Sequence, residues 1–167
     1  GTDSIILPAL KRLSEKIDFE IKAIEGVTHE ECLEQIQKSD LYVELGLGGF
    51  YGNAAMEAMA FGVPIAAHLK KNVTKLAGSV FDYCPIIPVR ERTIESFTKA
   101  IEPWLKNPET LRLQGLKSRR WVSLVHDEKT STDTPGEVCT THQGKYGGKR
   151  GPGTCHTQGT YMGLPYT

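Results

Sequence analysis

The stretch SDLYVELGLGGFYGNAAMEAMAFGVPI, residues 39–65, decides the fold. The apolar run 41–45 predicts a short buried strand, which is followed by a glycine-rich loop at 46–52. Residues 53–61 predict a helix that ends at Gly62, since glycine commonly stops a helix. Residues 63–67 predict a second apolar strand. Strands that are apolar along their whole length are typical of a parallel sheet covered on both faces.

The segments on either side continue this alternation. Strands are predicted at 19–24 and around Ile86, and helices at 2–16, 28–39, 93–105 and 107–125. Thr28 and Glu31 form a capping box, and Asn107-Pro108 is a typical helix start. Because strands alternate with helices through short connections, the sequence predicts an α/β fold with about four parallel strands and helices on both faces.

The composition changes near residue 127. Residues of the AVILMFWYC set number 57 of 127 in residues 1–127, but only 8 of 40 in residues 128–167. So few apolar side chains cannot offset an ordering cost of roughly 1–2 kcal/mol per residue. We therefore predict a disordered tail over 128–167 that packs no helix or strand on the core and can be deleted without loss of thermal stability. A zinc site is the weaker alternative, because the spacing of the four ligands fits no common zinc pattern: Cys139, His142, Cys155 and His156.

Charge and hydropathy argue against three classes of function. Lys and Arg total 20, Asp and Glu total 20, and the net charge is zero, which argues against a nucleic-acid-binding protein and against a basic membrane-surface protein. The apolar residues 45–67 are interrupted by glycine and proline, which argues against a transmembrane segment. No signal peptide opens the chain, so a cytoplasmic location is predicted.

A strand end, a glycine-rich loop and a helix start follow one another at residues 44–57. Backbone N–H groups and the helix dipole converge at such a helix start, and this arrangement binds anions. Ligands of open α/β sheets collect at the carboxyl ends of the strands, where this loop lies. Glu57 can accept two hydroxyl hydrogen bonds, which suits the 2′ and 3′ oxygens of a ribose. Taken alone, the pattern is equally compatible with a tight turn and a solvated glutamate.

The residues of this block resemble a known family. The run EAMAFGVPI, residues 57–65, is similar to the "G-(F/Y)-G … E-A-M-A-x-G-x-P-V" block of retaining GT-B glycosyltransferases, the large "glycosyl transferases group 1" family. The Gly26-Val27 turn, the strand at 39–43 and the later segments 84–87 and 119–127 match in order. The resemblance covers residues 1–127 and implies a Rossmann-like C-terminal domain that holds an NDP-sugar.

The resemblance also implies roles for single residues. Glu57 corresponds to the ribose-binding glutamate, and Gly26 and Val27 lie beside the base. Where the family has a second, sugar-contacting glutamate, this chain has glycine, so Glu44 becomes the candidate for that catalytic role. No cofactor or metal is implied, because helix dipole and basic side chains act on the leaving diphosphate. The loop residues assigned to the diphosphate and donor sugar are Gly49, Phe50, Tyr51, Gly52, Asn53 and Ala54.

The implied function is the donor-binding part of a glycosyltransferase. It would move a glycosyl group from an NDP-sugar to a hydroxyl acceptor in surface glycan biosynthesis, with the full-length enzyme in the cytoplasm or peripheral at the inner face of the membrane. The domain's first strand is expected to be missing, leaving an open edge at 19–24. An N-terminal domain for a glycan or lipid-linked acceptor is also expected to be missing, so this chain alone should be inactive.

Two alternatives stay open. The glycine at position 49 is compatible with a non-catalytic nucleotide-sugar-binding or interaction module. A sugar-nucleotide epimerase of the same fold is the other alternative, although its block lacks the Glu-Ala-Met-Ala sequence.

Overall fold

The computed structural model describes residues 2–45, 48–76, 78–126 and 159–163, the last five by their backbone alone. These residues form a five-stranded sheet with helices on both faces. The strands are β1 (Glu20–Ile24), β2 (Leu41–Glu44), β3 (Ile65–His68), β4 (Ile87–Val89) and β5 (Gly159–Gly163). The helices are α1 (Leu7–Ser14, continuing a π-helical turn at Thr2–Ile6), α2 (His29–Gln37), α3 (Asn53–Phe61), α4 (Lys71–Leu76), α5 (Ile94–Leu105) and α6 (Pro108–Val125). The predicted α/β class is confirmed.

Local sequence explains where the helices begin and end. Thr28 caps α2 through the predicted capping box with Glu31, whose carboxylate accepts from the Thr28 backbone N–H at 2.8 Å. Gly62 stops α3 in the left-handed region at φ 81°, which a residue without Cβ adopts freely. The Asn107 side chain caps α6 by accepting from the Thr110 N–H at 3.1 Å.

The sheet order is β1-β5-β2-β3-β4. Strands β2, β3 and β4 are parallel neighbours, with Val43 opposite Ala66 and Ala66 opposite Ile87. Strand β5 is antiparallel to both β1 and β2, so β1 runs in the same direction as β2. The carboxyl ends of the four strands β1–β4 therefore lie at one edge of the sheet, and the loops that follow them converge there.

The prediction that no strand of the tail packs on the core is wrong at residues 159–163. Strand β5 fills the position between β1 and β2, where Tyr161 is opposite Lys22 on one side and Tyr42 on the other. The sheet therefore has five strands, not four. The average apolar content of forty residues does not reveal a short β-prone run within them. Nor does it include the backbone N–H and C=O groups of β1 and β2, which this run pairs. The other tail residues, including the four proposed zinc ligands, lie outside the described residues.

Two apolar clusters sandwich the sheet, as the alternation of side chains along a strand requires. On one face Tyr42 and Ile65 pack against α2, α3 and α6. On the other face Leu41, Val43 and Ala66 pack against α1 and α5. The candidate site lies at the carboxyl edge of this sheet.

Candidate functional site

Glu57 lies on the second turn of α3, and its carboxylate faces the start of α2. Its Oε1 atom is 2.8 Å from Nε2 of His29, the first residue of α2. The Glu57 side chain is one-third exposed, at 33 %. The carboxylate is therefore held in place on one side and accessible to a ligand on the other. A fixed, accessible carboxylate of this kind can accept hydrogen bonds from a diol.

The turn between β1 and α2 lies directly before His29. Gly26 has φ 69°, and a Cβ built there would meet no atom of the described residues within 4 Å. Val27 is half-buried and packs against the apolar cluster of α2 and α3. The turn predicted to lie beside a base thus combines open space at Gly26 with the apolar side chain of Val27. It lies two residues before His29, which contacts Glu57.

Gly49 is the position where the resembling family carries its second glutamate. It has φ 75°, and its carbonyl accepts a hydrogen bond from the Lys70 N–H at 2.9 Å. A Cβ at Gly49 would overlap the aliphatic carbons of the Lys70 side chain. No glutamate fits at this position without a change of both the loop and Lys70, so any acid with that role would have to come from another position.

Glu44, the candidate for that role, ends β2 with its carboxylate turned toward the start of α3. Its Oε2 atom accepts the Gly52 N–H at 3.3 Å. Burial raises the pKa of the Glu44 carboxyl, while the hydrogen bond from Gly52 works in the opposite direction. The Glu44 carboxylate thus accepts the hydrogen bond of one of the backbone amides that were predicted to bind the diphosphate and donor sugar.

The first turn of α3 presents its remaining amides without a side-chain cap. Gly52 is the N-cap residue and has no side chain to bond the amides of the first turn. Asn53 at the start of this turn is exposed, whereas Ala54 is buried. The helix start is therefore exposed at Asn53, next to the Glu44 carboxylate, whereas Ala54 and Ala55 behind it are buried.

The loop aromatics anchor the loop to the core. Tyr51 is only 7 % exposed, and Phe50 stacks on it at a ring-centroid distance of 4.6 Å. Phe81 lies 4.9 Å from Phe50, and Trp121 packs edge-on to Tyr51 at 6.1 Å. The Tyr51 ring has no open face for a sugar, so its assigned contact would have to come from its backbone.

A hydrogen bond of 2.9 Å between the Tyr51 hydroxyl and Nε2 of His126 joins this loop to the end of α6. Burial raises the pKa of Tyr51 and lowers that of His126, so both groups are neutral at pH 7.

We expect Tyr51→Phe to lower the free energy of unfolding by about 1 kcal/mol, because it removes one neutral hydrogen bond. In thermal unfolding this is a fall in Tm of about 2–4 °C. Tyr83→Phe is the control, since Tyr83 is 84 % exposed; equal effects of the two substitutions would contradict the assignment.

A cavity of about 520 Å³ opens between α3 and the end of α6, beside Glu57. Its lining combines apolar side chains with one carboxylate and one imidazole: Met56, Glu57, Ala60, Val122, Ser123 and His126. Sequence reasoning missed two histidines of this region, His29 and His126. His29 could have been found as the first residue of a capped helix that follows the open turn, whereas nothing in the local sequence points to the pairing of His126 with Tyr51.

His68 is buried at the end of β3, and its Nδ1–H donates to the Val89 carbonyl at 3.0 Å, so it is a structural histidine. Within residues 2–45, 48–76 and 78–126 no group of three His, Cys, Asp or Glu side chains could hold a metal ion. No helix in the described part of the chain is long and apolar enough to cross a membrane.

Comparisons of the chain with protein-family models, with curated proteins and with solved structures found no match. The interpretation of this site therefore depends on its own residues and geometry.

Proposed function

We propose that this domain binds the nucleotide part of an NDP-sugar and serves as the donor-binding part of a glycosyltransferase. The observation that carries the proposal is the position of Glu57, whose carboxylate is partly exposed, fixed by His29 and located near the open Gly26 turn. In this proposal Glu57 accepts the ribose hydroxyls, and the base lies along Gly26 and Val27.

The diphosphate would then lie over the start of α3. The exposed Asn53 at the helix start and the positive end of the helix dipole favour an anion there. In the whole enzyme this domain would capture and orient the donor and stabilise charge on the leaving diphosphate, while a hydroxyl acceptor is held elsewhere. Glu44, beside Gly52, is the acid available to contact the donor sugar.

The test is calorimetric titration of the chain with a panel of nucleoside diphosphates and NDP-sugars. Glu57→Ala is expected to weaken binding by about 1.5–3 kcal/mol, the scale of hydrogen bonds to a charged group, or roughly 10- to 150-fold. The fold should survive, because the pair with His29 is at the surface and contributes little stability.

Glu15→Ala is the matched control, since Glu15 is an exposed glutamate at the end of α1, on the other face of the sheet. Unchanged affinity of Glu57→Ala, or an equal loss in Glu15→Ala, would contradict the ribose role.

One observation favours a second candidate, a nucleotide-sugar-binding module without catalysis. The Glu44 carboxylate accepts the Gly52 N–H and adds negative charge beside the proposed diphosphate position. Glu44→Gln distinguishes the two functions. For a transferase this substitution abolishes turnover by the whole enzyme, whereas for a binding module it tightens nucleoside diphosphate binding with no activity to lose.

A further inference from the structure

The outward face of α6 carries exposed leucines among exposed cations. Leu113, Leu116 and Leu124 are 45 %, 51 % and 62 % exposed, although leucine is usually buried. Lys117 and Arg120 lie between them in the sequence and are exposed as well. At 3.6 residues per turn these five side chains fall within about 100° of the helix circumference, along roughly 16 Å of its axis. We call this set the α6 face.

The α6 face is strongly basic in a chain whose net charge is zero. Helix α6 holds four basic residues and one acidic residue, Glu109; the two further cations, Arg112 and Arg119, border the α6 face on one side. In the described part of the chain, no carboxylate lies within 4 Å of any of these four cations, since none of the ion pairs includes them. The opposite side of α6 is buried in the core through Leu111, Trp121 and Val122.

We propose that the α6 face binds the surface of an anionic lipid bilayer. Two leucines, two cations and a further leucine follow one another along this face, and lysine is depleted from protein–protein interfaces. At a bilayer surface the leucines enter the headgroup region, and the long Lys and Arg side chains reach the lipid phosphates around them. The helix would lie in the plane of the surface and would not span it.

The charge pattern of the α6 face matches this partner. Basic residues near an anionic leaflet each strengthen binding about fivefold. The three leucines add apolar burial that an electrostatic contact alone would lack. The surface does not involve Glu57, so this proposal stands or falls independently of nucleotide binding.

The experiment is flotation of the intact chain with vesicles of phosphatidylcholine alone or mixed with phosphatidylglycerol. We expect binding to the mixed vesicles only, weakening as salt is raised. Lys117→Gln combined with Arg120→Gln is expected to weaken it roughly 25-fold. Lys11→Gln combined with Lys99→Gln changes the net charge equally but lies on α1 and α5, so it should bind like the unsubstituted chain.

A second variant tests the apolar part. Leu113→Ser combined with Leu124→Ser should reduce binding at least tenfold while leaving the circular dichroism spectrum and Tm unchanged, because both side chains are exposed. Three kinds of result would overturn the proposal. The first is equal binding of the chain to both vesicle types, or equal binding of the Lys117→Gln/Arg120→Gln variant and the Lys11→Gln/Lys99→Gln control. The second is displacement by inorganic phosphate at matched ionic strength. The third is a dimer in light scattering that the same substitutions dissociate, since the face would then join two copies of the chain.

Discussion

A chain that ends after residue 158 is expected to unfold at a markedly lower temperature than the intact chain. Strand β5 pairs with β1 on one side and β2 on the other, and β1 and β2 are not paired with each other. Removing β5 therefore leaves backbone donors and acceptors unpaired on both strands and detaches β1 from the sheet. The strand that leads to the Gly26 turn would lose its attachment.

A single substitution in β5 gives a lower bound for the loss of stability that the truncation causes. Tyr161→Pro removes one ladder donor from the middle of a strand with neighbours on both sides and leaves the partner carbonyl unpaired, which costs about 1–3 kcal/mol. For a chain of this size that lowers Tm by about 2–12 °C, and the truncation should cost at least as much.

The control is a chain that ends after Gly163 and so keeps β5. The measurement is thermal unfolding of the intact chain, the two truncated chains and Tyr161→Pro. If truncation after residue 158 left Tm unchanged, as tail composition alone predicts, β5 would not be part of the sheet.

Gly115→Ala is expected to destabilise the domain even though alanine favours helices over glycine by about 1 kcal/mol. Gly115 lies in the middle of α6, where a Cβ would overlap the Gly62 carbonyl oxygen and approach Cδ of Pro64 to 3.0 Å. Both partners are poorly able to move, since one is backbone and the other is a proline ring. Helix α6 would have to shift away from the end of α3, at a packing cost of about 1–3 kcal/mol or more, from which the gain in helix propensity is subtracted.

Gly48→Ala is the comparison for this substitution, because a Cβ at Gly48 meets no atom of the described residues within 4 Å. Chemical denaturation of both variants should show a loss for Gly115→Ala and little change for Gly48→Ala. A Gly115→Ala protein as stable as the original, or more so, would mean that helix propensity dominates and that α3 and α6 are not in close contact there.

Much of the fold could be predicted from the sequence, because the signals are local. The α3 bounds follow from Gly52 and Gly62, and the start of α6 follows from Asn107-Pro108. Strands β2 and β3 follow from apolar runs between glycine-rich turns. Strand β5 could not be predicted in this way, because its stability comes from ladders with β1 and β2, which are far from it in the sequence.

The candidate site could be predicted in part, because some of its residues are also marked by local sequence signals. Glu57 and the Gly26 turn are marked by local sequence, and their position at the carboxyl edge follows from the parallel strands. The contacts of these residues with other elements are long-range: His29 and Glu57 are 28 positions apart in the sequence, and Tyr51 and His126 are 75 positions apart. The raised pKa of Glu44 comes from burial, which a sequence does not display.

The most direct test of the central claim compares a nucleoside diphosphate with its 2′,3′-dideoxy analogue. Both are titrated into the original chain and into Glu57→Ala, using the base that binds most tightly in the panel. If Glu57 accepts the ribose hydroxyls, the original chain binds the dideoxy analogue roughly 10- to 150-fold more weakly, and Glu57→Ala does not discriminate between the two. Equal affinity of the original chain for both ligands, or no binding of any nucleoside diphosphate at millimolar concentration, would contradict the account.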